Sequence, residues 1–282
     1  MLTQRKLSDV LGSAIEGIDL SRGLADAEFS EVARALWEGG VLAIKGQRLA
    51  PGQFLAFARR FGRPEPHVID QFHYPGYPDI LILSNRRKQN GEPMGLADAG
   101  SYFHTDYSYL QVPARLTMLY SIEVPSRGGN TLFASMYAAY DGLPQRLKER
   151  LEGRIGAFTY GGRRKATALL NEEDRNWTPV FHPIVRTHPE TGRKALYFDP
   201  GKILRIEGLE PAESDALIDE LTERMIQPDG EYHHQWRKGD IVIWDNRCSY
   251  HKAAGDYPPE EDRIHWRVSI KERPTAGARA AD

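Results

Sequence analysis

Apolar residues follow two different spacings along the chain, and each spacing predicts one kind of element. Helical spacing occurs over residues 26–39, from Pro51 onward, and over residues 210–227. Continuous apolar runs, typical of strands that are buried on both faces, occur at residues 41–44 and 241–244. The pattern predicts a mainly β protein whose helices flank one face of a sheet.

Further strands are predicted where β-branched and aromatic residues cluster between turn formers. These strands cover residues 80–83, 115–124, the hairpin arms 184–187 and 195–198, and 264–270. Residues 135–153 predict a helical segment that Gly142 and Pro144 interrupt. Asp26 is the expected N-cap of the first helix.

The last predicted strand has one polar and one apolar face. Side chains alternate along a strand, so Arg263, His265, Arg267 and Ser269 share a face opposite the apolar residues. Two arginines on such a face indicate anion recognition, because guanidinium groups match paired carboxylate or sulfonate oxygens. A solvated face with surface charges is the alternative.

A metal site is predicted from two distant parts of the chain. His104 and Asp106 are two residues apart, so both can point to the same side of a strand. With His251, which follows the buried run at 241–244, they match the two-His, one-carboxylate triad of non-haem Fe(II) oxygenases. Short motifs arise by chance, and His188-Pro-Glu190 is a second match that we set aside because it leads into a hairpin turn.

Two polar inserts and a tail interrupt the regular pattern. Residues 63–101 are rich in proline and turn formers and predict a functional loop, whereas residues 160–182 form a polar insert with no clear period. Residues 273–282 are expected to fray. Since the sequence shows no internal repeat or linker, we expect residues 1–282 to form a single domain.

Composition narrows the class of protein. The net charge is -2 over 282 residues, so no basic field indicates nucleic acid or anionic lipid as a partner. The single cysteine, Cys248, rules out an intramolecular disulfide and suits a reducing compartment. No apolar run has the length of a membrane span, and the first residues lack the apolar core of a signal peptide. We therefore expect a cytoplasmic protein without a membrane partner.

Six co-linear motifs resemble those of one enzyme family. They lie at residues 17–20, 41–47, 57–62, 103–106, 128–131 and 244–251. The chain is similar over nearly its whole length to the taurine dioxygenase and 2,4-dichlorophenoxyacetate dioxygenase (TauD/TfdA) family of Fe(II)/2-oxoglutarate oxygenases. The resemblance implies a double-stranded β-helix, which is a jelly-roll or cupin-like double sheet, with flanking helices. It also implies that residues 160–182 form a lid, with disorder as the alternative.

The resemblance implies the roles of the candidate residues. His104, Asp106 and His251 would bind Fe(II). Thr131 and Arg263 would hold the two carboxylate ends of 2-oxoglutarate, the co-substrate that reacts with O2. The expected reaction hydroxylates a small organic acid and releases succinate and CO2.

Other positions bear on the substrate. Arg267 matches the place where family members often bind an acidic substrate group, and His67 lies near a substrate-contacting histidine of the taurine enzymes. Gly100 replaces their substrate-binding asparagine, which argues against taurine itself. Asp199 and Lys202 occupy a segment where relatives carry an aromatic wall, and Lys202 predicts a more polar pocket or a second anion contact.

Several alternatives follow from the same residues. Asp199 and Lys202 could equally suit a zwitterion, which would make the protein an amino-acid hydroxylase of the same family. From other classes, a zinc hydrolase could use the same triad with a bound water, and a non-catalytic cupin-like protein could bind a small acid. Relatives are often homodimers or homotetramers, so we expect a homo-oligomer.

Overall fold

The computed structural model describes residues 2–97, 100–163 and 178–272. Most of the predicted second insert and the whole predicted tail lie outside these residues. The described helices and strands are the following. The α-helices are α1 (Asp26–Gly39), α2 (Pro51–Arg59), α3 (Met136–Asp141), α4 (Gln145–Leu151) and α5 (Pro211–Arg224). The strands are β1 (Thr3–Lys6), β2 (Ser13–Glu16), β3 (Val41–Ile44), β4 (Pro64–Glu65), β5 (His73–Tyr74), β6 (Tyr77–Ser84), β7 (Ala114–Glu123), β8 (Thr131–Ser135), β9 (Ile155–Phe158), β10 (Val180–Pro183), β11 (Val185–Thr187), β12 (Lys194–Leu196), β13 (Ile203–Ile206), β14 (Glu231–His234), β15 (Ile241–Asp245), β16 (Ser249–Ala253) and β17 (Ile264–Lys271).

A large sheet forms the frame of the molecule. Its strands lie in the order β1-β2-β3-β15-β7-β17-β6-β5, and β4 pairs with β17. Strand β15 is central, because it pairs antiparallel with β3 on one side and with β7 on the other. The prediction that this apolar run is buried on both faces is confirmed.

Helices α1 and α2 cover one face of the large sheet. Leu36 of α1 and Phe54 and Phe57 of α2 pack against Ile243 of β15 and Val268 of β17. This is the apolar stripe that the helical spacing predicted. Removing side chains of this size from water stabilises the fold by about 1.5–3 kcal/mol each.

The opposite face of the large sheet packs against a second sheet, in the order β14-β8-β16. Phe133 of β8 lies in one buried cluster with Val242 and Trp244 of β15 and with Leu119 of β7. Two facing, mainly antiparallel sheets with flanking helices are the jelly-roll architecture that was predicted; the exception is the parallel pair β2 and β3.

A third layer contains the small sheet β10-β9-β13, the hairpin β11–β12 and the helices α3, α4 and α5. The amphipathic helix α5 buries Leu217 and Leu221, as its spacing predicted. The interruption predicted between α3 and α4 is also present, because α3 ends at Asp141 and α4 begins at Gln145.

Two local predictions are wrong. The residue pair His104 and Asp106 does not lie in a regular strand: His104 forms a single antiparallel bridge to His251, and the chain turns away at Tyr107, whose φ is 57°. The N-cap of α1 is Ala25 rather than Asp26. The Glu28 carboxylate accepts the Ala25 N–H at 2.9 Å and so takes the capping role.

Candidate metal and anion site

The three predicted metal ligands meet between the two sheets. Nε2 of His104 lies 3.9 Å from Oδ1 of Asp106, and Nε2 of His251 lies 3.6 Å from Oδ2 of the same carboxylate. Ligand bonds of about 2 Å allow two atoms on one ion to be up to roughly 4 Å apart. Two imidazoles and a carboxylate at these distances fit a divalent transition metal and leave further positions open.

Main-chain contacts bring the two histidines together. The N–H of each residue donates to the carbonyl of the other, at 3.1 Å from His104 and 3.0 Å from His251. The ring nitrogen Nδ1 of His104 lies 2.8 Å from the carbonyl oxygen of Tyr102, so it carries the proton and leaves the Nε2 lone pair for a metal. Burial lowers the pKa of His251 well below its usual range, which keeps this imidazole neutral as ligation requires.

Asp106 is held as a carboxylate by the groups around it. Burial raises its pKa, but the positive charge of Arg267 and the neighbouring histidines outweigh burial, and the net pKa is well below the usual range. Nη2 of Arg267 lies 2.6 Å from Oδ1. The hydroxyl of Thr117, on β7, donates to Oδ2 at 2.6 Å.

Asn246 connects these groups, and the sequence analysis missed its role. Its side-chain oxygen accepts the Asp106 N–H at 3.1 Å, and its amide nitrogen donates to the Thr117 hydroxyl at 3.0 Å. The same side-chain oxygen accepts the Nε1–H of Trp244 at 3.2 Å. The main-chain carbonyl of Asn246 accepts the hydroxyl of Thr105 at 2.7 Å. Asn246 is fully buried, so it fixes the turn that carries the carboxylate ligand.

Gly100 permits the close approach of this turn to the metal ligands. Its φ is +81°, and a Cβ atom there would lie 2.2 Å from Cε1 of His104. Its carbonyl accepts the Ala253 N–H of β16 at 2.8 Å. The position has no room for a side chain in this conformation, so a substrate-binding asparagine does not fit here.

The triad opens into a cavity of about 390 Å³. Its wall contains most of the candidate residues and several aromatic side chains. They include His67, Tyr102, His104, Asp106, Tyr107, Tyr109, Thr131, Tyr160, Lys202, Trp244, His251, Tyr257, Arg263 and Arg267. A cavity of this size lies within the range of small-molecule sites.

Arg263 and Thr131 lie on the cavity wall with unused donors. Nε of Arg263 donates to the carbonyl of Gly129 at 3.0 Å, which anchors the guanidinium. Burial lowers the pKa of Arg263, against the opposing influence of Tyr257 and Asp256. The Thr131 hydroxyl accepts Nε1 of Trp236 at 3.0 Å, so its own hydrogen can be donated to a ligand.

Arg267 and His67 lie on another part of the wall. Arg267 is 9% exposed, which excludes the alternative of a solvated strand face, and its Nε has no hydrogen-bond partner among the described residues. Burial, followed by the charge of Arg267, lowers the pKa of His67 to about 3. Nδ1 of this neutral ring accepts the Ile69 N–H at 3.0 Å, so Nε2 carries the proton.

The structure separates Lys202 from Asp199. Lys202 lines the cavity, and its Nζ donates to the carbonyl of Tyr160 at 2.8 Å. Asp199 is fully buried and does not line the cavity. Its carboxylate oxygens accept the Ser108 hydroxyl at 3.1 Å and the Gly201 N–H at 3.0 Å. Asp199 therefore does not face the cavity, and its predicted substrate contact gains no support from the structure. The sequence alone could not show that this loop residue is buried.

A second buried group with metal-binding atoms contains His188, Asp245 and Cys248. Nε2 of His188 lies 3.0 Å from Oδ2 of Asp245, and Arg247 pairs with both oxygens of that carboxylate, at 2.9 and 2.5 Å. These atoms already have partners, so the cluster is an internal ion-pair network. His188 lies in the turn between β11 and β12, as predicted.

Helices within the described ranges were also compared with the requirements of a membrane span, and none is long and apolar enough to cross a bilayer.

Comparison with known proteins gives consistent matches over most of the chain. The family model described as "Taurine catabolism dioxygenase TauD, TfdA family" matches residues 3–269. The alpha-ketoglutarate-dependent 2,4-dichlorophenoxyacetate dioxygenase of Cupriavidus pinatubonensis is 36% identical over 264 residues, which is 88% of this chain and 90% of that protein. The (S)-phenoxypropionate/alpha-ketoglutarate-dioxygenase of Sphingobium herbicidovorans is 33% identical over 280 residues, or 96% of this chain and 95% of that protein.

A solved structure agrees with the fold. The crystal structure of AAD-2 in complex with Mn(II) and N-oxalylglycine superposes with a TM-score of 0.80 at 28% identity, and the match covers 97% of this chain and 98% of that chain. The predicted jelly-roll class is confirmed by this likeness together with the two facing sheets.

Proposed function

The chain belongs to the TauD, TfdA family of 2-oxoglutarate-dependent dioxygenases, and from this we propose that His104, Asp106 and His251 hold its Fe(II). The enzyme uses Fe(II), 2-oxoglutarate and O2, which sets aside the zinc-hydrolase and binding-protein alternatives. The observation that carries the assignment is the convergence of the three ligand atoms within 4.8 Å of one another at the wall of the cavity.

Bound Fe(II), with 2-oxoglutarate and O2, supplies the oxidation that converts a substrate C–H to C–OH while 2-oxoglutarate becomes succinate and CO2. The protein residues provide binding, orientation and a shielded site. His104 and His251 each offer a ring nitrogen, and Asp106 offers a carboxylate that Thr117 and Arg267 orient.

Arg263 and Thr131 bind the carboxylates of 2-oxoglutarate in this proposal. Arg263 is a half-buried cation for which the described residues provide no carboxylate ion pair, and its terminal nitrogens remain for a bidentate contact. Thr131 has a hydroxyl hydrogen to donate, because Trp236 occupies its acceptor side. Thr131 on β8 and Arg263, directly before β17, therefore both face the co-substrate.

Arg267 and His67 bind the anionic group of the substrate. The free Nε of Arg267 and the neutral Nε2–H of His67 are donors on the same cavity wall. The names of the two relatives identify phenoxyalkanoic acids as their substrates, so we propose a small organic acid here. Among the described residues that line the cavity, Asp106 is the only carboxylate, and the amino-acid alternative therefore lacks a group to pair with a substrate ammonium.

Leu83, Leu96, Leu119 and Trp244 add apolar surface to the wall. They exclude water from the reacting carbon and strengthen the electrostatic contacts of the charged residues. The cytoplasmic location and the homo-oligomeric assembly stay predictions from the sequence.

The test is an anaerobic titration of the metal-free protein with Fe(II) and 2-oxoglutarate, followed through the visible charge-transfer absorption of the chelate. We expect the absorption in the wild-type protein and in His233→Ala, which changes an exposed histidine. It should be lost in His104→Ala and His251→Ala. Iron binding without this absorption in the wild-type protein would refute the assignment.

A further inference from the structure

The cavity wall carries more positive than negative charge. Among its described residues, Lys202, Arg263 and Arg267 are cations and Asp106 is the carboxylate. In the proposed function, the two positive charges of Fe(II) balance the two negative charges of the 2-oxoglutarate carboxylates. Two positive charges are then left over in a largely buried space, and unpaired buried charge is costly. One anionic group on the substrate would neutralise only half of this excess.

Lys202 is the cation that the proposed function leaves without an anion. Its Nζ has one hydrogen-bond acceptor among the described residues, the carbonyl of Tyr160. It lies 3.9 Å from the ring centre of Tyr160 and 5.3 Å from that of Tyr109. An ammonium group has three donors, so Lys202 can still donate into the cavity that it lines.

Asp199 is the nearby acid, but it does not form an ion pair with Lys202. The Nζ of Lys202 donates to a main-chain carbonyl instead. Both Asp199 oxygens already accept bonds, from Ser108 and Gly201. Burial raises the pKa of Asp199 and lowers that of Lys202, and the attraction between the two charges does not offset burial in either residue.

Two tyrosines lie between Lys202 and Arg267. The guanidinium carbon of Arg267 lies 5.6 Å from the ring centre of Tyr107, and Tyr107 and Tyr109 are 6.0 Å apart, centre to centre. Lys202 is next to Tyr109. Each cation therefore lies next to a different ring of this tyrosine pair.

We propose that the substrate carries two anionic groups, one bound by Arg267 and the other by Lys202, joined by an apolar or aromatic segment that packs on Tyr107 and Tyr109. This inference rests on the proposed function, because Arg267 provides the first anion contact in both. It adds a specificity-determining residue, Lys202, and defines the substrate class as an organic dianion.

The experiment compares phenoxyacetate with its 3- and 4-carboxy derivatives. Affinities are measured by calorimetry in the protein loaded with Mn(II) and saturated with N-oxalylglycine, which prevents the dicarboxylates from occupying the co-substrate site. A charge-assisted contact should make at least one carboxy derivative bind about tenfold tighter or more in the wild-type protein. Lys202→Met should remove this gain, and Lys202→Glu should favour 4-(aminomethyl)phenoxyacetate instead.

Lys238→Met is the matched control, because Lys238 is exposed and pairs with Glu123 at 2.7 Å. It should keep the wild-type preference. The proposal is overturned if the second carboxylate gives no gain in the wild-type protein, whether the probes bind equally or not at all, or if Lys202→Met weakens all probes to the same extent. Failure of Mn(II) or N-oxalylglycine to bind would instead count against the proposed function.

Discussion

Replacing Arg263 with methionine should weaken 2-oxoglutarate binding strongly while it leaves the stability of the ligand-free fold nearly unchanged. The described contacts hold this half-buried guanidinium through one bond, from Nε to the Gly129 carbonyl, and give it no carboxylate partner. A cation kept in this state costs folding free energy that a ligand returns on binding. We therefore expect Arg263→Met to change the free energy of unfolding of the ligand-free protein by no more than about 1 kcal/mol, since the lost bond and the relieved burial oppose each other.

Binding of 2-oxoglutarate should respond much more strongly. Loss of a buried, bidentate charge contact costs about 2–5 kcal/mol. Since each 1.4 kcal/mol is a factor of ten, the dissociation constant should rise by roughly 30-fold to several thousand-fold. Arg263→Lys keeps the charge without the planar pair of donors and should fall between the wild-type protein and the methionine variant.

The assay is calorimetric titration of Mn(II)-loaded protein with 2-oxoglutarate, beside urea unfolding of the ligand-free protein. Arg59→Met, which removes an exposed arginine paired with Asp79, is the control for loss of charge. If Arg263→Met binds 2-oxoglutarate within about threefold of the wild-type protein, the co-substrate contact has been assigned to the wrong residue. A decrease of more than about 3 kcal/mol in the free energy of unfolding of Arg263→Met would show that Arg263 chiefly stabilises the fold.

Three further substitutions test the site and its surroundings. Gly100→Ala should lower Mn(II) affinity about tenfold or more by displacing His104. Gly76→Ala is the control, because Gly76 has a similar φ of +78° with open space around it, and it should keep the wild-type affinity. Equal losses of Mn(II) affinity in the two variants, measured by calorimetry, would contradict this. Asn246→Ala leaves buried donors unpaired and should lower the free energy of unfolding by about 2–5 kcal/mol. A change below about 1 kcal/mol in urea unfolding would show that Asn246 does not fix the turn that carries Asp106. Burial lowers the pKa of His182 to about 4 from 6.5, so the unfolded chain binds more protons between these pH values and the free energy of unfolding falls as the pH drops through them. His182→Gln should reduce the loss of unfolding free energy between pH 7 and 5 by about 2 kcal/mol. Identical pH profiles of the two proteins would refute this.

The sequence was sufficient for much of the fold because its strongest patterns were also the most deeply buried. The run at residues 241–244 became β15, with Ile243 packed on the helix side and Val242 and Trp244 on the inter-sheet side. The stripe on α2 was visible for the same reason. These elements have short-range signals that tertiary contacts reinforce.

Side-chain hydrogen bonds between distant parts of the chain gave no comparable signal. Asn246 bonds to Thr117, 129 residues away in the chain, and Trp236 bonds to Thr131 over 105 residues. No local period identifies such pairs, because they become neighbours only when β15 pairs with β7 and β14 pairs with β8. The convergence of His104, Asp106 and His251 was anticipated from motif chemistry and family resemblance rather than from a correct local structure.

The reciprocal main-chain bonds between His104 and His251 affect what happens when the metal is lost. Two of the three proposed ligands stay connected through their own peptides, since neither bond needs an ion. Oxidative loss of iron should therefore leave an intact but empty centre, with the amide protons of both residues still slow to exchange with solvent. Reactivation then requires only that a fresh ion diffuses in, and the empty enzyme offers proteases no newly unfolded segment at this place.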